Sequence, residues 1–201
     1  MQPIFFDTEF SGLHQNAYLL SIAFVPLDGP WFYAVFTDAD TRSLSPWHQE
    51  NVVPHLPLTD EQRRQLPSGT YLRGSALEIT NALRNYLAAF GPVVLWADVP
   101  AYDWVLLCEL FGGAFGLPDN VHYIVRDLAT LLEAKGYDVD TDRFALAYRD
   151  AGADAGAVVR SADARGGEGQ PASATSEGLL RHNALGDALA CKRCHQKIAN
   201  R

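Results

Sequence analysis

Asp7 and Glu9 stand two apart in Ile4-Phe5-Phe6-Asp7-Thr8-Glu9-Phe10. Asp103 closes the run Val93-Val94-Leu95-Trp96-Ala97-Asp98-Val99-Pro100-Ala101-Tyr102-Asp103. His182 and Asp187 lie in Arg181-His182-Asn183-Ala184-Leu185-Gly186-Asp187-Ala188. Clustered acids that lack neighbouring bases need another source of positive charge, and a pair of divalent cations supplies it. Acids held around two ions, with a histidine beside them, suit metal-dependent hydrolysis of a phosphodiester.

The elements that must carry these groups follow from local pattern. Residues 4–7, 19–27, 31–37 and 93–97 are rich in β-branched and aromatic side chains and read as strands. Asp28-Gly29-Pro30 is a turn, so the second and third strands should pair antiparallel. Ser45-Pro46 has the form of an N-cap followed by Pro at the first helical position. Ser75 and Glu78 have capping-box spacing, and Ile79, Leu83, Tyr86, Leu87 and Phe90 make one apolar stripe that Gly91-Pro92 ends. Residues 103–111, 127–135 and the stretch from about 184 to the C-terminus read as helices. A strand hairpin followed by alternating strands and helices fits a mixed α/β sandwich.

On a strand, residues i and i+2 share a face, so Asp7 and Glu9 should project together. The apolar run before them implies a central buried strand, whose end is where α/β proteins place their sites. Asp-x-Glu by itself is common at solvated strand ends. Asp103 by itself would be read as a helix N-cap, as would Asp127, which no motif supports. His182 and Asp187 are five apart, an offset of about 140° on a continuous helix. They converge only if His182 precedes the helix or occupies an irregular first turn.

The chain has 201 residues and is 48% hydrophobic, which suits a single domain over 1–201 with a sizeable core. Its net charge of −8 argues against a protein that coats nucleic acid. It argues less against an enzyme that holds a few terminal nucleotides, because bound cations meet the phosphates. No apolar stretch is long enough to span a bilayer, and the N-terminus has no signal-like region. Three cysteines do not make a disulfide framework, so a cytoplasmic location is expected. Residues 150–178 are dominated by Ala, Gly, Ser and Asp and read as a mobile loop. It is either a lid or an insertion without catalytic importance.

Taken together, Asp7-x-Glu9, Asp103 and His182-x-x-x-x-Asp187 resemble the DEDDh group of 3′–5′ exonucleases. Asp7-Thr8-Glu9-Phe10-Ser11-Gly12-Leu13 is similar to the first motif of oligoribonuclease, ribonuclease T and the proofreading exonucleases. A sister group has Tyr four residues before its last Asp. Here that position is Asn183 and His182 holds the histidine place. One departure is Val99, where the relatives often have Asn. Ser21-Ile22-Ala23, Tyr33-Ala34-Val35, Asn51-Val52-Val53-Pro54 and Trp96-Ala97 resemble, more closely, a small family of bacterial and phage 3′–5′ exoribonucleases first described in mycobacteria.

The resemblance implies a ribonuclease H-like fold, a central mixed β-sheet flanked by α-helices. It implies two divalent cations, Mg²⁺ or Mn²⁺, with Asp7 bridging them, Glu9 and Asp187 completing one site and Asp103 holding the other. His182 is implied as the general base. Phe10, Leu13 and Tyr102 flank the acids and are implied, with His182, as substrate contacts that stack on or wedge between terminal bases; core packing is the alternative for these apolar side chains. The implied partners are RNA 3′ ends or overhangs and a second copy of the chain; the alternative is a DNA-directed 3′–5′ exonuclease of proofreading or repair type, acting on single-stranded DNA. No membrane partner is expected. A catalytically dead binding module would be expected to have lost one of the five groups.

Cys191-Lys192-Arg193-Cys194-His195 has the spacing of a c-type haem attachment site. Met1 is the one methionine, the segment lies in the C-terminal helix, and no haem is expected. Zinc would have half its usual ligands. A helical face with two buried or half-buried thiols is the better reading.

Overall fold

The computed structural model describes residues 1–14, 16–148, 178 and 181–199. The 150–178 segment read as a mobile loop lies outside the described residues, Gly178 excepted.

The first strand, β1, runs Gln2–Phe10 and carries both early acids within it rather than at its tip. It pairs antiparallel with β2 (Leu19–Pro26) over its whole inner length, with a register shift at Glu9/Phe10. β3 (Trp31–Phe36) follows through the Asp28–Pro30 turn and pairs antiparallel with β2, as expected. Further along lie the short helices α1 (Pro46–Asn51) and α2 (Asp60–Gln65). Ser45 caps α1, its side chain accepting from the His48 amide. Then come β4 (Gly69–Gly74), α3 (Ala76–Ala88), β5 (Val93–Ala97) and α4 (Ala101–Leu110). The two-residue β6 (Arg126–Asp127), α5 (Leu128–Ala134), α6 (Arg143–Tyr148) and α7 (Ala184–Ala199) follow.

Among the described residues the strands form one sheet in the order β4-β3-β2-β1-β5-β6. β2 runs against its neighbours, and the pairs β3–β4, β1–β5 and β5–β6 are parallel. The mixed α/β sheet expected from the sequence is what forms. The edge strand β4 was not legible, since it is short and glycine-bounded. Gly69 is required there: a Cβ would stand about 2.1 Å from the Trp31 ring.

The period of two sorts β1 between two layers. Ile4 and Phe6 pack with Ile22, Phe24, Leu83 and Leu107 beneath α3 and α4. Phe5 points the other way, onto Leu132, Phe144, Cys191 and Cys194 of α5, α6 and α7. Phe5 and Phe6 are fully buried, each worth roughly 1.5–3 kcal/mol of transfer free energy. Asp7 and Glu9 share the parity of Phe5 and therefore face α7. The capping box of Ser75 and Glu78 forms as read, and Ile79, Leu83 and Leu87 are the buried stripe of α3.

The parallel pairing of β1 with β5 stops at Phe5–Trp96, while β1 continues to Phe10. Asp7 and Glu9 thus occupy strand paired on the β2 side alone. The ends of β1 and β5 diverge there, the position at which α/β sheets place their sites.

Candidate active site

Three carboxylates meet beyond the end of that pairing. Oxygens of Asp7, Glu9 and Asp187 lie within 4.8 Å of one another. Asp7 and Glu9 arrive from one face of β1, and Asp187 from the first turn of α7. Burial raises all three well above ordinary carboxylate values. Repulsion from Asp187 and Asp103 adds to the rise in both Asp7 and Glu9. Asp187 is pushed up to about 7 by burial, against backbone hydrogen bonds from His182 and Asn183 and the Arg181 charge. All-oxygen acidic donors this close suit a hard divalent cation such as Mg²⁺ or Mn²⁺.

Asp103 stands beside this trio rather than within it. It lies inside the first turn of α4 and does not cap it, Pro100 holding the cap position. Its Oδ1 accepts two hydrogen bonds from Thr8, one from the amide at 3.0 Å and one from the hydroxyl at 2.6 Å. Burial raises its pKa, and those two bonds oppose the rise. Asp127 is structural, accepting from the amides of Val99, Ala129 and Thr130.

His182 precedes α7, as its convergence with Asp187 requires. Its φ of 60° is left-handed, a conformation a non-glycine residue adopts at a cost of roughly 1–2 kcal/mol. Asn183 secures the turn. Its Oδ1 accepts from the amides of Leu185 (3.1 Å) and Gly186 (3.2 Å), capping α7. Its Nδ2 donates to the carbonyl of His55 and to the Tyr33 hydroxyl. The Trp47 ring meets the His182 ring edge-on with centroids 5.0 Å apart.

Phe10, Leu13 and Tyr102 are brought together beside the acids. The rings of Phe10 and Tyr102 are 6.0 Å apart, and the Tyr102 hydroxyl donates to the Leu13 carbonyl at 3.3 Å. Leu13 and Tyr102 are exposed, at 72% and 38%, so core packing does not account for them. Phe10 is partly buried against the core.

Sequence reasoning passed over Asp98, a fifth acid at the end of β5 whose charge acts on Asp7 and Asp187. Burial raises it, and the Arg143 guanidinium opposes the rise. It also passed over Thr8, Asn183 and Trp47, each adjacent in sequence or space to an assigned residue but without a motif of its own. Cys191 and Cys194 are buried free thiols on α7, pushed up by burial. Their burial agrees with the helical-face reading.

A sheet of this order, with acids on the C-terminal half of β1, on α4 and on α7, is that of an α/β domain of ribonuclease H-like type. The chain belongs to the family of the 3′-5′ exoribonuclease Rv2179c-like domain, whose model matches residues 2–199. That family places it among hydrolytic nucleases. Two relatives from Mycobacterium tuberculosis are 3′-5′ exoribonuclease Rv2179c (strain ATCC 25618 / H37Rv) and 3′-5′ exoribonuclease MT2234.1 (strain CDC 1551 / Oshkosh). Each is 36% identical over 134 residues, 66% of this chain and 74% of the relative. No helix among the described residues is long and apolar enough to cross a membrane.

Proposed function

We propose that this chain is a two-metal-ion 3′–5′ exoribonuclease that removes nucleoside 5′-monophosphates from RNA 3′ ends or overhangs. The observation that carries the reading is the convergence of Asp7, Glu9 and Asp187 within 4.8 Å. They converge in a fold whose relatives are named 3′-5′ exoribonucleases. Asp7, Glu9 and Asp187 would hold one divalent ion, and Asp103 would help to hold a second. Asp103 is suited to that outer place because Thr8 occupies one of its oxygens. When bound, such ions supply a nucleophilic water at neutral pH and stabilise charge on the leaving oxygen.

The chain's own groups do the rest. His182, on its strained turn, takes the proton of the attacking water as it adds to the terminal phosphorus. The 3′ oxygen of the penultimate nucleotide leaves, and the product carries a 5′ phosphate. Phe10, Leu13 and Tyr102 offer apolar surface on which terminal bases stack without regard to sequence. The reading extends over a single exonuclease domain at 1–201. A cytoplasmic setting is supported by three free cysteines, and a dimeric state by the sequence resemblance.

The test is digestion of 5′-labelled single-stranded RNA, single-stranded DNA and RNA duplexes with 3′ overhangs, each with Mg²⁺, Mn²⁺ or EDTA. Stepwise shortening from the 3′ end, metal-dependent and fastest on RNA, is the expected result. Early release of the 5′ label, or cutting of circular RNA, would overturn it. Preference for DNA would reassign the substrate and keep the chemistry.

A further inference from the structure

The first turn of α6 joins both sides of the acid cluster through two ion pairs. Arg143 meets Asp98 side-on, with Nε 3.0 Å from Oδ2 and Nη2 donating to Oδ1 at 3.0 Å. Asp142 accepts through Oδ2 from Nη2 of Arg181, the residue before His182. Asp142 and Arg181 are 39 positions apart in sequence, so the fold alone brings them together. The side chains of both pairs are between 15% and 30% exposed. Charges this shielded are weakly screened, and removing one partner strands the other.

Two further contacts make α6 a firm base for these pairs. Cys194 Sγ of α7 lies 3.2 Å from the Arg143 carbonyl, and Lys197 Nζ donates to the Leu146 carbonyl at 2.9 Å. The Arg181 guanidinium lies 5.2 Å over the Phe144 ring, which fixes its plane as well as its charge. His182 follows directly with its positive φ. A strained turn persists when its surroundings over-determine it, and Arg181 is held on one side while Asn183 is held on the other.

We propose that Asp142 is a positioning residue for His182: by holding Arg181 it fixes the left-handed turn that presents the imidazole. The Arg143–Asp98 pair ties the same helical turn to the end of β5, so the turn is set relative to the acid cluster. This rests on the reading of His182 as the general base. Asp142 is not one of the clustered acids, so its effect on rate passes through the geometry of its neighbour. Misplacing a catalytic group by about 1 Å costs on the order of 10²-fold.

The experiment is a double-mutant cycle on the full chain with single-turnover rates, KM, calorimetric Mn²⁺ titration and thermal melting. Asp142→Asn is the informative change. Asn caps a helix as well as Asp does, so the Asp142 cap of α6 (Ala145 amide to Oδ1, 2.9 Å) is retained while the ion pair is lost. The rate should fall roughly 10- to 100-fold, with KM and Mn²⁺ affinity unmoved. In the His182→Ala background the same change should add no further loss, because coupled residues do not act additively. Arg181→Gln should copy Asp142→Asn, and Arg181→Lys should recover part of the rate. An equal loss in both backgrounds, or no loss in the wild type, overturns the positioning role and leaves the base assignment standing. If His182→Ala itself leaves the rate intact, the base assignment falls and this proposal with it.

Discussion

Thr8 and Asp103 lie 95 positions apart and share one oxygen: the amide and the hydroxyl of Thr8 both donate to Asp103 Oδ1. Thr8 sits between Asp7 and Glu9 but points to the opposite face of β1, toward α4. The strand therefore offers its two acids to one side and fastens the next acid with the residue between them. Thr8→Val keeps the shape and removes the hydroxyl. Leaving a buried carboxylate oxygen with one donor fewer should cost about 1–3 kcal/mol in urea unfolding. It should also weaken the looser of two Mn²⁺ affinities, while Thr8→Ser preserves both. A Thr8→Val protein with unchanged stability and metal binding would mean that the hydroxyl is replaceable by solvent.

The acid trio makes stability depend on pH in an unusual direction. Burial and mutual repulsion raise Asp7, Glu9 and Asp187, the last to about 7. Unfolded carboxyls titrate at about 4. Between those limits the folded chain binds more protons than the unfolded one, so stability falls as pH rises through about 7. The metal-free melting temperature should decline from about pH 5 to about pH 7 and level off above that. Mg²⁺ or Mn²⁺ should flatten that decline, and should bind more tightly as pH rises because the ligands must lose their protons. A metal-free melting temperature that climbs over the same range would contradict the buried-acid arrangement.

Asn183 bonds on both sides of the histidine turn at once. Its amide nitrogen reaches the His55 carbonyl and its amide oxygen caps α7. Asn183→Ala removes a cap, at about 0.5–2 kcal/mol, and strands the half-buried His55 carbonyl besides. Asn183→Asp keeps the cap and loses the donor, and should fall between the two in thermal melting. Equal stability for all three proteins would show that the turn is held by other contacts.

That Asp7, Glu9 and Asp187 would come together was legible from their combined pattern and its family resemblance, helped by two local rules. Two acids on one strand share a face, and a histidine five residues before an acid converges with it only from outside the helix. Both rules are set by backbone geometry within a few residues. Asp98 and its partner Arg143, or Arg181 and Asp142, obey no such rule. Their pairing depends on where α6 packs, and α6 itself, six residues long, gave too short a pattern to recognise. The strand β4 was missed because its partner β3 and the Trp31 ring over Gly69, rather than its own propensity, hold it. Val99 shows the same limit. Its φ of 52° is strained for a β-branched residue and is held by the Asp127 carboxylate, 28 positions away.

The proposed roles of His182 and Asp187 separate in one pair of variants. Asp187 belongs to the carboxylate trio, whereas His182 stands on the preceding turn with its ring against Trp47. Asp187→Ala removes a proposed oxygen ligand and should abolish both Mn²⁺ binding and turnover. Asp7→Asn, which takes charge from the proposed bridging position, should behave likewise. His182→Ala should lower the single-turnover rate by roughly 10²–10⁴, the usual worth of general-base catalysis, and leave Mn²⁺ affinity nearly intact. Trp47→Ala frees the imidazole to swing and should lower the rate less than His182→Ala does, again without loss of metal. Calorimetric titration of metal-free protein and single-turnover assays at saturating Mn²⁺ decide the matter. If His182→Ala abolishes metal binding as fully as Asp187→Ala, His182 is a ligand, and the proton must be taken from the attacking water by another group.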